Sequence, residues 1–262
     1  VSLIAVLFVV PLVWMVLSSL KTAPEVFARP FHWLPAKAQW QNYATVWMNE
    51  EASMLRAFAN TLYIALFSIV GQMFISSLAA YSFAKINFKG KQVVFMLFLS
   101  SMMVPSQLTI IPRFMLFKTI GLYNNLWAII LPAFFGATSI FMLRQFYMGL
   151  PNDLIEAAKI DGAGHLRIFL RIMLPLTKAA LMSLIILAFI SSWNEYMAPL
   201  IFLVKKELYT VSQNIQWYML DEFKEHNLTM AAATSAIVPV VILFIVGQKY
   251  FVEGIATSGV KG

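Results

Sequence analysis

The chain is 262 residues long, 60% hydrophobic and only 12% charged, with a mean hydropathy of +0.76, whereas soluble domains carry about 25% charged residues; it is a membrane protein. Its net charge of +7 comes from Lys and Arg scattered between apolar runs, which excludes the clustered basic surface that nucleic-acid binding requires. With no cysteine and only His32, His165 and His226, far apart, disulfide scaffolds, thiolate sites and a histidine metal site are excluded as well.

A helix needs about 20 apolar residues to cross the hydrocarbon core; five runs free of charge meet that length, and a sixth, Ala179 to Val204, is broken only by Glu195. The fold expected is all-α: a polytopic bundle of six transmembrane helices in a single domain, 1–262, with spans at about 1–20, 58–84, 92–112, 120–143, 178–201 and 228–248. Continuous apolar runs exclude a barrel, whose strands alternate over about 10 residues. The first run exceeds the 7–15 residues, roughly, of a signal-peptide core, so it reads as a retained span. The chain starts at Val1 and not at Met, so further residues are expected before it.

Between the first two spans, residues 21–56 carry Trp33, Trp40, Tyr43, Trp47 and three prolines. Two readings stand for this segment: an aromatic belt with a solvated loop, or a docking surface for an extracytoplasmic partner. Residues 205–226, with Trp217, Tyr218, Asp221, Glu222 and Glu225, invite the same pair of readings. If the first span runs outward, inside loops 85–91, 144–178 and 249–262 hold 10 basic residues against 9 in the outside loops. The bias is sharpest in the Lys85 to Lys91 turn, which has three lysines and no acid, and it places that turn and both termini in the cytoplasm. Pro105, Pro132, Pro199 and Pro239 lie in or near spans, where each removes a backbone donor and is expected to bend its helix. Glu195, the one ionisable residue within a span, is a candidate pathway residue. Beside it Trp193, Asn194 and Tyr196 supply a ring for stacking and polar groups for hydrogen bonds. At ~1.5 Å per residue, it would stand about 26 Å up its helix from Lys178, near the outer surface, where a hydrated interfacial carboxylate is the competing reading.

The longest inside loop, 149–176, has its own pattern. Asp153 and Glu156 are spaced as a capping box, and Gly162 stands where a left-handed cap would end a helix. A two-turn helix, a glycine turn and a second helix entering the fifth span are therefore expected, with Arg167 and Arg171 on one face of the second helix. A short helix with small residues Ala157 and Ala158 suits insertion into a groove on another protein, or alternatively a seat on lipid headgroups.

Glu156-Ala157-Ala158, then Gly162, then Ile172-x-Leu174-Pro175 resembles the EAA signature of membrane subunits of bacterial ABC importers at every position. Six spans, Trp193-Asn194-Glu195-Tyr196 followed by Pro199-Leu200, and the ending Gly254 to Gly262 resemble the carbohydrate-uptake, maltose-type branch. The resemblance implies a multi-pass permease of the bacterial cytoplasmic membrane that translocates a sugar or oligosaccharide. Its implied partners are a homologous second permease, an extracytoplasmic sugar-binding protein and a cytoplasmic ATPase dimer that holds ATP and Mg. The chain itself carries no G-x-x-x-x-G-K-[ST] loop, and the resemblance implies no catalytic role and no bound cofactor. It makes the loop helix a coupling helix between spans four and five, with Glu156, Ala157, Ala158, Asp161 and Gly162 as its ATPase-coupling residues. The reading of different class is an ion-coupled secondary transporter of small polar solutes, which would carry repeats and mid-membrane ionisable groups.

Overall fold

The computed structural model describes residues 2–220 and 225–259, with side chains for 7–220 and 225–248. Asp221 and Glu222, and the side chains of the C-terminal Gly254 to Gly262 segment, lie outside the described residues. Every regular element among the described residues is helical. In chain order these are α1 (Ser2–Ser19), α2 (Ala23–Val26), α3 (Gln41–Met48), α4 (Met54–Lys85), α5 (Lys91–Ser101), α6 (Ser106–Thr119), α7 (Trp127–Ala133) and α8 (Ala137–Met148). Then follow α9 (Asp153–Ile160), α10 (His165–Leu176), α11 (Lys178–Trp193), α12 (Met197–Phe202), α13 (Val211–Tyr218) and α14 (His226–Gly259).

Among the described residues, three stretches are long and apolar enough to cross a membrane: α4, α7 with α8 over Trp127–Met148, and α14 over His226–Gln248. Two more become spans only if a bent pair counts as one, α5 with α6 at 93° and α10 with α11 at 77°. A shorter apolar helix covers Leu7–Ser19.

The expected third span, 92–112, falls on two helices, α5 and α6, with the bend expected at Pro105 lying between them. Pro105 forces the preceding residue out of the helical region, and the chain turns through Met102 to Val104 before α6 begins at Ser106. The expected fifth span, 178–201, is likewise interrupted: α11 ends at Trp193 and α12 starts at Met197. Pro239, by contrast, sits inside α14 without ending it. Within α10, residues Phe169–Met173 form a π-helical turn. Pro175 has no N–H to offer the carbonyl of Arg171, and a widened turn ahead of a proline absorbs that loss.

The Cα positions group the chain into two compact units. The first comprises 1–63, 124–126 and 193–243. It is laced by side-chain hydrogen bonds that order the aromatic segment 21–56. Asn42 donates to the carbonyls of Ser19 (2.8 Å) and Lys21 (2.9 Å) and accepts from Asn227 at 3.0 Å. The Trp47 indole donates to Ser235 Oγ at 3.1 Å. Asn214 donates to the Ser53 carbonyl at 3.0 Å, and α13 begins at Val211 behind a Thr210/Gln213 capping box. Asn124 adopts φ 60°, a left-handed conformation that asparagine tolerates. Its Oδ1 accepts from the N–H groups of Val204 and Lys205, both at 3.0 Å.

Tyr218 belongs to the same unit. It is 4% exposed, and its hydroxyl donates to the Ala52 carbonyl at 3.0 Å. Burial, with the Glu225 carboxylate as the lesser cause, pushes its phenol up to about 12. A folded-state value above the unfolded one, roughly 10 for tyrosine, means that this stabilisation is complete below pH 10 and is lost as pH rises toward 12. Tyr218→Phe is expected to cost about 1–3 kcal/mol by orphaning a buried carbonyl. It should also flatten the alkaline limb of a thermal-stability profile between those pH values, and an unchanged limb would refute the assignment.

The second unit comprises 64–123, 127–192 and 244–262. Its core gathers Tyr81 from α4, Leu143 and Tyr147 from α8, Ile155 and Ala158 from α9, Ile168 and Met173 from α10, and Leu184 from α11. Gly71 on α4 allows close approach: a Cβ there would collide with the ring of Phe134.

Candidate functional site

Helix α9 is the short helix expected from the sequence, eight residues long, and its ends show how the chain sets it. The expected capping box is not formed. The N-cap is Asn152, which makes no side-chain cap bond, because its Oδ1 instead accepts from Lys85 Nζ at 2.7 Å. Lys85 also donates to the Leu150 carbonyl at 2.7 Å, so the end of α4 holds the start of α9. Asp153 and Glu156 then occupy the first turn as carboxylates at the positive end of the helix dipole.

The C-terminus closes as the sequence implies. Gly162 has φ +77°, its N–H donates to the Lys159 carbonyl at 3.0 Å, and the Ala163 N–H donates to the Ala158 carbonyl at 2.9 Å. This pair of bonds is a Schellman motif, which satisfies two of the last carbonyls and reverses the chain. His165 follows at once, its Nδ1 3.0 Å from the Tyr81 hydroxyl.

Helix α9 has two faces. Ile155 (5% exposed) and Ala158 (8%) are packed into the core of the second unit, so of the five expected coupling residues Ala158 faces inward. Glu156, Ala157, Asp161 and Gly162 are exposed. Ile160, which was not among the expected residues, is 87% exposed at the end of α9, and Leu154 (41%) and Leu166 (65%) are exposed as well. The signal for Ile160 was available in the sequence, since Ile160 follows Glu156 by four residues and must share its face.

The four pathway candidates belong to the first unit, and they divide. Trp193 is 3% exposed: its indole donates to the Ala236 carbonyl at 3.0 Å and its ring meets Phe58 edge-on at 5.4 Å. It is a packing residue, not the open stacking platform expected. Glu195 lies in the Asn194 to Tyr196 break and not on a continuous helix. Its Oε1 accepts from the Ala198 N–H at 3.0 Å, so the carboxylate caps α12. Asn194 is exposed and Tyr196 half-buried. Among the described residues no group of three or more His, Asp or Glu is placed to hold a metal ion.

Residues 72–257 match the family described as the binding-protein-dependent transport system inner membrane component. The chain belongs to that family. The permease is 34% identical over 262 residues to the arabinooligosaccharides transport system permease protein AraQ of Bacillus subtilis (strain 168), which covers 99% of this chain and 93% of the relative. It is 30% identical over 240 residues to the sn-glycerol-3-phosphate transport system permease protein UgpE of Yersinia pestis, covering 89% and 85%. To the diacetylchitobiose uptake system permease protein NgcG of Streptomyces coelicolor it is 29% identical over 249 residues, covering 94% and 82%. Among solved structures, a bacterial ABC transporter involved in the import of the acidic polysaccharide alginate superimposes with a TM-score of 0.85 at 24% identity, over 95% of this chain and 93% of that one. The permease shares that fold. It is the multi-pass membrane component of an ABC importer, and ATP hydrolysis belongs to a separate subunit of such systems.

Proposed function

We propose that the permease moves a sugar or short oligosaccharide across the bacterial cytoplasmic membrane, receiving it from an extracytoplasmic binding protein. Likeness to an arabino-oligosaccharide permease along nearly the whole chain supports this reading. A diacetylchitobiose permease among the relatives points to the same class of hydroxyl-rich solute. In this reading the chain crosses the membrane six times, each bent pair and the Leu7–Ser19 helix counting as one span, with both termini in the cytoplasm. It pairs with a homologous second permease. Helix α9 enters a cleft of a cytoplasmic ATPase dimer that holds ATP and Mg. Glu156, Ala157, Ile160, Asp161 and Gly162 meet the ATPase, while Ile155 and Ala158 carry its movement into the core of the second unit. Asn194 and Tyr196 are the pathway candidates whose side chains remain accessible, with Glu195 and Trp193 shaping the break that presents them.

The reading is tested by reconstituting the chain in vesicles with the second permease, the ATPase and the binding protein. ATP-dependent uptake of labelled arabino-oligosaccharides or diacetylchitobiose, lost when any one component is omitted, is the expected result. Uptake by the chain alone under a proton or sodium gradient would overturn it in favour of an ion-coupled transporter.

A further inference from the structure

The turn from α4 to α5 carries Lys85, Lys89 and Lys91, and the three have different fates. Lys85 is committed to Leu150 and Asn152. Lys91 donates to the Ile86 carbonyl at 2.9 Å, and Lys89 is exposed. Where α5 begins, a cavity of about 640 Å³ opens, lined among others by Phe88, Lys91, Val93, Met96 and Arg144. The Arg144 guanidinium lies 4.1 Å from the centroid of the Phe95 ring, and its Nε donates to the Phe83 carbonyl at 3.3 Å. Neither Lys91 nor Arg144 forms an ion pair with a carboxylate among the described residues. Two half-buried cations thus share one cavity with carbonyls and an aromatic face as their protein partners and no counter-ion.

Part of the cavity wall is apolar and bare, with Val93 57% exposed and Met96 54%, and Val94 (48%) and Leu97 (68%) extend the bare apolar surface of α5 beyond the lining. A soluble anion would neutralise the cations and leave that wall in water. A lipid matches both halves, since basic pockets at the cytoplasmic ends of spanning helices attract anionic headgroups while apolar side chains meet acyl chains. We propose that this cavity binds the headgroup phosphate of an anionic phospholipid, with Lys91 and Arg144 as its cations and Phe88 and the exposed face of α5 against its chains. The inference rests on the membrane placement of the permease and on the Lys85 to Lys91 turn facing the cytoplasm.

The test uses the intact importer purified in detergent and native mass spectrometry after addition of phosphatidylglycerol or phosphatidylcholine. Wild-type complex should retain phosphatidylglycerol preferentially, and inorganic phosphate in excess should not displace it. Each cation near a lipid surface is worth about 1 kcal/mol, so Lys91→Gln with Arg144→Gln should lower retention about 25-fold, and Lys118→Gln should leave it unchanged. Equal retention of the two lipids by wild type, displacement by inorganic phosphate, or undiminished retention in the double variant would each overturn the proposal. Because the double variant removes two anchoring contacts, a second measurement uses wild type alone: a photoactivatable phosphatidylglycerol should label a peptide containing residues 88–99, and labelling confined to other peptides refutes the site. Both readouts score lipid and not uptake, so failure here is distinguishable from failure of the transport reading.

Discussion

Gly162→Val should cut sugar uptake and binding-protein-stimulated ATP hydrolysis at least about tenfold while leaving the amount of permease in the membrane unchanged. An L-residue at this φ of +77° costs roughly 1–2 kcal/mol, and a β-branched one more. That penalty falls on an eight-residue helix, whose length gives it little stability of its own. Its closing turn depends on the Gly162 and Ala163 N–H bonds, so the cost is met by fraying α9 and misplacing its outward face. Space is not the issue, because a Cβ at Gly162 meets nothing within 4 Å. Gly164 is the matched control: it too has open space, but its φ is −74°, so Gly164→Ala should transport normally. Gly162→Asn should retain more activity than Gly162→Val, since asparagine accepts the left-handed region. Normal uptake by Gly162→Val, with the protein present, would remove α9 from the coupling path.

The second large effect is expected at Ile160. Its side chain is 87% exposed in the permease taken alone, and burying an isoleucine is worth about 1.5–3 kcal/mol. Ile160→Asp replaces that gain with the cost of dehydrating a carboxylate. Co-purification of the ATPase with the permease should therefore fall at least about thirtyfold in affinity, since each 1.4 kcal/mol is roughly tenfold. The permease should keep its thermal stability, because the side chain touches little of its own chain. Ile155→Ala provides the contrast: that residue is 5% exposed in the core, and its loss should destabilise the permease by about 2–5 kcal/mol. Full ATPase recovery with Ile160→Asp would show that the outward face of α9 is not where the ATPase docks.

How far the site was legible depended on whether a residue's role is local. The closure of α9 at Gly162 is local: a glycine after a two-turn amphipathic run, followed by alanine, makes the hydrogen bonds of a left-handed cap within six residues. The start of α9 was misjudged because the competing partner is remote. Asn152, one residue before the anticipated cap, is taken by Lys85, 67 positions earlier, and no spacing rule reports that. The surroundings of Glu195 were hidden for a related reason. An apolar run with one carboxylate near its outer end reads as a continuous helix, whereas the break at Asn194 to Tyr196 lets the same carboxylate accept from the Ala198 N–H. Trp193 had the composition of a sugar platform, and its burial against Phe58 and Ala236 comes from segments that only folding brings together.

The opening composition by itself determined the solvent: 12% charge over 262 residues commits the chain to a membrane, and a membrane permits helices whose backbone groups are satisfied within each segment. The same sequence also determined the loop helix and its motif, because helix signals extend over a few residues. The proline announced the bend at Pro105, but tertiary structure alone decided the break after Trp193 and which side of α9 faces outward. It also decided which lysine of the 85–91 turn is spent on the protein and which is left with Arg144 beside an open cavity. Those outcomes depend on partners dozens of residues away, where hydrogen bonds and packing compete for the same atoms and only the folded chain chooses between them.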